Sequence, residues 1–154
     1  LSRSCRFSNL VPSPNSYIST VKKDIIHPVV EEVAVAIVKE ENDKGEIEWN
    51  VYLLNLKNED IEGVLVTSSG YGELAGEHRK TSTLRHFLDI VPSHSFAKIE
   101  PIMTDLFGLS NQYWVSFYLN KQIYDKKYVF LAESIREENF ITIPLIRKKG
   151  VMIK

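Results

Sequence analysis

Residues 29–57 read VVEEVAVAIVKEENDKGEIEWNVYLLNLK, and this stretch decides the fold class. Its first half alternates loosely and then becomes apolar on both faces, as a covered strand does. Its second half alternates with period two and places Trp49 and Val51 on one face, which is typical of a β-strand. The charged segment between them contains Gly45, and glycine supplies the positive φ that tight turns require. The stretch predicts two strands joined by a turn.

The same period continues through most of the remaining chain. Two segments, 103–111 and 134–140, favour single helical turns, and Thr104 is a plausible N-cap for the first. We therefore predict an all-β protein, an antiparallel β-sandwich of seven or eight strands with at most one or two short helical turns. An immunoglobulin-like arrangement is the preferred topology, and a small β-barrel is the alternative. Further strands are predicted at 64–68, 82–91, 95–102, 113–120, 126–133 and 141–146.

Chain length and local composition predict the domain organisation. The 154 residues suit one domain. Residues 1–20 contain six serines and no acidic residue, and Pro12 and Pro14 oppose a helix. We predict that residues 1–20 form a disordered leader or N-terminal extension and that residues 21–154 form a single β-sandwich domain.

Charge and cysteine content disfavour several classes of function. The formal net charge is −1, from 19 basic and 20 acidic residues, so no long-range field attracts nucleic acid or an anionic membrane. Cys5 is the single cysteine, so no intrachain disulfide forms, which suits a reducing compartment. No run of about 18 apolar residues is present, so no membrane span is expected. The predicted location is cytoplasmic.

Residues that could form catalytic or cofactor sites lack the required spacing. His78, His86 and His94 are separated by intervals of eight, which compact zinc motifs do not use. The glycines of residues 70–76 do not open a helix as a phosphate-binding loop must, and no serine stands in a nucleophile elbow. Residues 70–80 are predicted to be a polar hairpin loop. We predict no metal, no cofactor and no catalytic residue.

The candidate contact surface combines loop and strand residues. Thr83, Arg85, Phe87 and Asp89 share one face of the predicted strand 82–91, and the turn at Pro92 is expected to join this strand to 95–102 as a hairpin. The apolar tail, 141–154, is expected to pair with a neighbouring protein. The proposed contact residues are Gly72, Arg85, His86, Arg147, Lys148 and Lys149.

Four segments of the chain are distinctive: TSTLRH (81–86), SFAKIE (95–100), YDKKYVF (124–130) and IPLIRKKGVMIK (143–154). Together they resemble a family of short bacterial proteins. Members are about one small domain long, carry the label phenylalanyl-tRNA synthetase subunit alpha, and share a strand like WNVYLLN (49–55). The resemblance covers residues 21–154. A synthetase core needs an ATP site, an amino-acid pocket and arginines for the triphosphate, which require a longer chain. The resemblance therefore implies a shared fold without ligase activity.

These observations favour a non-enzymatic binding or scaffold module that acts through contacts with a protein partner or through self-association. One alternative is an RNA-associated protein that binds tRNA or single-stranded RNA, because basic and aromatic residues interleave in the second half of the chain. A third possibility is a small enzyme whose site is built from turns.

Overall fold

The computed structural model describes residues 28–154, so the predicted leader and the start of the predicted domain lie outside the described residues. Two 3₁₀ turns, Thr104–Gly108 and Glu137–Asn139, fall where the sequence predicts helical turns. The N-cap position of the first turn is occupied by Met103 and not by the predicted Thr104, and no side chain makes a capping hydrogen bond there. The strands are β1 (Val33–Glu41), β2 (Ile47–Asn55), β3 (Ile61–Leu74), β4 (Glu77–Lys80), β5 (Leu84–Val91), β6 (Ser95–Pro101), β7 (Ser110–Leu119), β8 (Gln122–Phe130), β9 (Ile141–Thr142) and β10 (Lys149–Ile153).

The strands form two antiparallel sheets that do not close into a barrel, which confirms the predicted antiparallel β-sandwich. The first sheet has the order β6-β2-β1-β10-β9. The second has the order β4-β3-β7-β8, with β5 also paired to β3. Ten strands are present in the described residues, more than the seven or eight predicted. β4 lies in a segment expected to be a loop, and the tail forms two short strands, β9 and β10, where the sequence predicts one longer strand.

The two inner faces pack around aromatic side chains of the second sheet. Tyr113 and Phe117 alternate with outward residues along β7 and are each 1% exposed. Tyr128 on β8 is fully buried, and its hydroxyl donates a 2.6 Å hydrogen bond to the carbonyl oxygen of Val33 on the opposite sheet. Burying each side chain of this size contributes roughly 1.5–3 kcal/mol. The core therefore fixes how the sheets face each other.

The first sheet is covered on its outer face as well. Ala34, Ala36 and Val38 of β1 form a second apolar cluster with Ile143, which is fully buried. This explains why β1 is apolar on both faces, as the sequence predicts. Residues 143–148 form turns instead of the predicted strand and lie over this face before β10 begins.

The predicted hairpin of residues 82–91 and 95–102 is wrong, because these strands belong to different sheets. β5 pairs with β3 and β6 pairs with β2. The crossing at Pro92 is held by Asn55, which is fully buried and donates to the carbonyl oxygens of Val91 (3.0 Å) and Pro92 (3.2 Å). Since a short turn suits both a hairpin and a crossing between sheets, the local sequence does not distinguish them.

The segment 70–80 is a strand hairpin instead of a polar loop. Ala75 (φ 55°) and Gly76 (φ 82°) make its two-residue turn, and both adopt the positive φ that such turns require. β4 and β5 then follow each other along the edge of β3 that lies opposite β7. Between them, the Thr81 N–H donates a 2.8 Å hydrogen bond to the Gly70 carbonyl oxygen.

Candidate functional site

The outer face of the second sheet, defined here as the solvent-facing side of β5, β3, β7 and β8, carries a basic row. Thr67 lies opposite Arg85 on β5 and opposite Trp114 on β7, and Trp114 lies opposite Lys127 on β8. The Lys127 ammonium group lies 5.6 Å from the centre of the Trp114 ring. This row therefore presents two cations at its ends and an aromatic ring between them.

The next row of the outer face is apolar and acidic. Leu65 lies opposite Phe87 on β5 and Ser116 on β7, and Ser116 lies opposite Asp125 on β8. Residues two positions apart along a strand lie on the same face, so this row lies immediately beside the basic row. The outer face thus changes from positive to negative charge within two neighbouring rows on β8.

Large apolar side chains of this face are exposed to solvent. Glu62 lies opposite Tyr118 on β7, and Tyr118 lies opposite Ile123 on β8, which extends the patch by a third row. The sequence places Arg85 and Phe87 on one face of their strand, and both are indeed exposed. The exposed fractions are 37% for Leu65, 66% for Phe87, 46% for Trp114, 50% for Tyr118 and 54% for Ile123.

His86 points away from this surface and joins the two sheets at their edge. Its Nε2 lies 2.7 Å from Oε1 of Glu100 on β6, and the Ser68 hydroxyl donates a 2.8 Å hydrogen bond to the same oxygen. The side chains of His86 and Glu100 are 27% and 13% exposed. The hairpin predicted for these two strands misses the contact of His86 with Glu100, because the strands lie in different sheets.

The Ser68, Glu100 and His86 cluster does not have the geometry of a nucleophilic triad. In such a triad the imidazole accepts the proton of the serine hydroxyl. Here the serine hydroxyl donates to the carboxylate instead, and serine and histidine bind the same oxygen. The cluster therefore acts as a polar link between the sheets. Burial, with a further contribution from the negative charge of Glu100, also raises the pKa of the Tyr113 phenol well above its usual range.

A groove runs beside this cluster. A cavity of about 260 Å³ adjoins a second of about 450 Å³, and the two share Thr81 and Leu106. The first cavity is lined by hydroxyl groups together with Glu100, and the second by Arg79 and Lys80. This groove is where a site built from turns would lie, and within it the Ser68 hydroxyl donates to the Glu100 carboxylate, which His86 also contacts.

The predicted basic residues of the tail lie on the other sheet. Lys148 donates a 2.7 Å hydrogen bond to Glu40 on β1, and Arg147 and Lys149 are exposed beside it. Gly72 lies near the end of β3 with φ 142°, and a Cβ there would be 3.5 Å from the Leu109 side chain. The structure therefore does not bring the six predicted contact residues together, and of these only Arg85 lies on the outer face of the second sheet.

Residues 28–154 contain no group of three or more histidine, cysteine, aspartate or glutamate side chains that could hold a metal ion. His94 is bound through Nε2 to Oδ1 of Asn58 at 2.7 Å. Among the same residues no helix is long and apolar enough to cross a membrane.

No family model matches the chain, and no curated protein matches it either.

Proposed function

We propose that the chain is a non-enzymatic binding module that engages a folded protein through the outer face of the second sheet. The observation that carries this proposal is the run of five large apolar side chains, each at least 37% exposed, that the strand register brings together on that face. Contiguous exposed apolar patches on a folded domain mark interaction sites.

The residue types of the outer face are those enriched at protein interfaces. Trp, Tyr, Phe and Arg dominate interface cores and binding hot spots. Trp114, Tyr118, Phe87 and Arg85 supply one of each within adjacent rows. They project from strands anchored in the core, so little conformational entropy is lost when a partner binds.

Charge on the face restricts the chemistry of the partner. Arg85 and Lys127 can pair with carboxylates of the partner, whereas Asp125 and Glu62 can pair with its basic groups. The surface between these charges is apolar. The RNA alternative has weaker support, because Asp125 and Glu62 would repel phosphates beside the basic row. The enzyme alternative has weaker support because the Glu100 cluster does not prepare a nucleophile.

Three further expectations belong to this proposal. The chain order supports an immunoglobulin-like relationship: β1, β2 and β6 follow the A, B and E strands of that fold, and β3, β7 and β8 follow C, F and G, with β5 in the position of C′. The absence of any pair of cysteines supports a cytoplasmic location. The segments quoted above support kinship with the short bacterial family.

Site-specific photo-crosslinking tests the contact surface. A photoreactive phenylalanine analogue at Phe87 or Trp114 is expected to give a covalent protein adduct in an extract of the organism that encodes the chain. Matched controls carry the same analogue at Phe96 or Ile141, which are 44% and 45% exposed on the first sheet. The controls are expected to give no such adduct.

The outcomes of this experiment separate the alternatives. Equal labelling from both sheets, or no adduct from Phe87 and Trp114, contradicts the proposed surface. An adduct of those positions with RNA instead of protein supports the RNA alternative and overturns the protein-binding proposal.

A further inference from the structure

We propose that the protein partner is a second copy of this chain, docked face to face through the outer face of the second sheet with its strands antiparallel to those of the first copy. This inference rests on the proposed function and names the partner. A closed pair of this kind uses the same patch twice, so each residue of the patch must find its complement within the patch itself. The outer face meets this condition.

The charged rows are complementary under one two-fold rotation. The axis lies across the strands, between the row of Thr67 and the row of Leu65. Each strand then packs over the same strand of the other copy, and the Thr67 row of one copy faces the Leu65 row of the other. Lys127 of each copy then faces Asp125 of the other, which gives two identical ion pairs. An axis along the strands, midway across the sheet, would instead place Lys127 over Arg85 of the other copy and oppose two cations, so charge selects the first arrangement.

The same rotation matches the uncharged positions. Arg85 is placed over Phe87 of the second copy, where a guanidinium over an aromatic face is favourable. Trp114, which protrudes from β7, faces the small side chain of Ser116 on the second copy. At this position a large side chain therefore meets a small one, which favours close packing of the interface.

The size of the face indicates a modest affinity. Four strands spaced about 4.8 Å apart and roughly 33 Å long cover about 600 Å². Stable interfaces bury about 800 Å² on each partner, so this face falls at the lower end of the range. We expect a reversible dimer with a dissociation constant on the order of micromolar.

Charge reversal on β8 tests the arrangement. Lys127→Asp and Asp125→Lys in the full chain each turn both ion pairs into like-charge contacts. Each variant is expected to weaken dimerisation at least about tenfold in sedimentation equilibrium, because two pairs change at once. Both side chains are exposed, so unchanged melting curves are expected to show that the variants fold.

Restoration is the decisive outcome. The double variant K127D/D125K exchanges the charges and is expected to dimerise like the original chain. An equimolar mixture of the two single variants is expected to form heterodimers that are tighter than the dimer of either variant alone. A partner that does not obey the two-fold rotation would give neither result. If a single variant unfolds, Phe87→Ser provides a second test and is expected to reduce dimerisation equally.

Two results overturn the inference. One is a monomer at every concentration up to about 1 mM. The other is a dimer that the charge reversals do not weaken or that the mixture does not restore. Photo-crosslinking from Phe87 distinguishes this failure from failure of the proposed function. An adduct with a different protein would support the contact surface and would exclude a second copy of the chain as the partner.

Discussion

At the scale of single residues, Glu40 organises a polar cluster at the end of β1. Its Oε1 accepts hydrogen bonds from Tyr52 (2.6 Å) and Asn50 (2.7 Å), and its Oε2 accepts one from Lys148 (2.7 Å). Burial opposes ionisation of Glu40, but the hydrogen bonds, with that of Lys148 the largest, lower its pKa below the ordinary value. Burial, followed by the hydrogen bond to Glu40, raises the pKa of the Tyr52 phenol.

Glu40→Gln is expected to make stability less dependent on pH. Because the folded protein binds this proton less tightly than the unfolded chain, Glu40 stabilises the fold above its ordinary pKa of 4.5, and the contribution is lost as pH falls through the lower folded pKa. In urea unfolding at pH 7 the variant is expected to be less stable by about 1 kcal/mol. The difference is expected to shrink below pH 4.5.

The control for this experiment is Glu41→Gln, since Glu41 is the exposed neighbour of Glu40. It is expected to change stability little at either pH. An equal loss from both variants, or a loss from Glu40→Gln that does not depend on pH, would show that the cluster contributes no charge-dependent stability.

At the scale of elements, the tail is part of the sandwich and not a free strand. β10 pairs with β1 on one side and with β9 on the other. Gly150 approaches β1 so closely that an added Cβ would lie 2.9 Å from the Val38 Cα and would clash with the Ile37 carbonyl oxygen. Residues 141–154 therefore belong to the first sheet, but β9 covers β10 only at Lys149 and Gly150 and β9 is itself an edge strand, so their role as a strand for a neighbouring protein stays a prediction.

A chain that ends at Asn139 is expected not to fold. The cut removes Ile143, which is fully buried, and Val151, which is 7% exposed, and it uncovers both the edge and the outer face of β1. We expect a flat thermal melt by circular dichroism and poor dispersion of amide proton resonances. A chain that ends at Ile153 is the control and is expected to melt like the full chain. A cooperative melt of the shorter chain at the same midpoint would contradict the assignment of β9 and β10 to the core.

The sequence predicts elements better than it predicts their partners. The two-residue period identifies β7 and β8 because each buries one face, and their hairpin follows from the short link between them. The apolar run of β1 identifies a strand that is covered on both faces. The crossing at Pro92 is not predictable, because Asn55 holds it from a distant strand. For the outer face, alternation predicts that Arg85 and Phe87 point together. It does not predict that Trp114 and Lys127 continue their rows, since that depends on strand register across the sheet.

At the scale of the whole molecule, Glu100 links the two sheets at the edge where β5 and β6 lie. Glu100→Ala leaves the Ser68 hydroxyl, on a residue only 5% exposed, without its acceptor. We expect a loss of about 1–3 kcal/mol in the free energy of unfolding, because a buried donor loses its partner. Amide hydrogen exchange is expected to accelerate first along β5 and β6.

Lys98→Ala is the matched control for this variant, because Lys98 is an exposed residue of the same strand. It is expected to preserve both stability and exchange rates. If Glu100→Ala accelerates exchange uniformly over both sheets, or not at all, then the edge is held by packing and the link contributes nothing of its own.

The pairing of Val35 with Ile153 also bears on how the protein is made. During synthesis, β1 leaves the ribosome early, but its second neighbour is translated only after nearly all of the remaining described chain. Until then the nascent chain carries an apolar strand with one open edge, which is a template for aggregation. Because this contact is so distant in sequence, completion of the first sheet is expected to be a slow, late event. Delayed translation of the last strand would prolong the interval in which the cell must shield that edge.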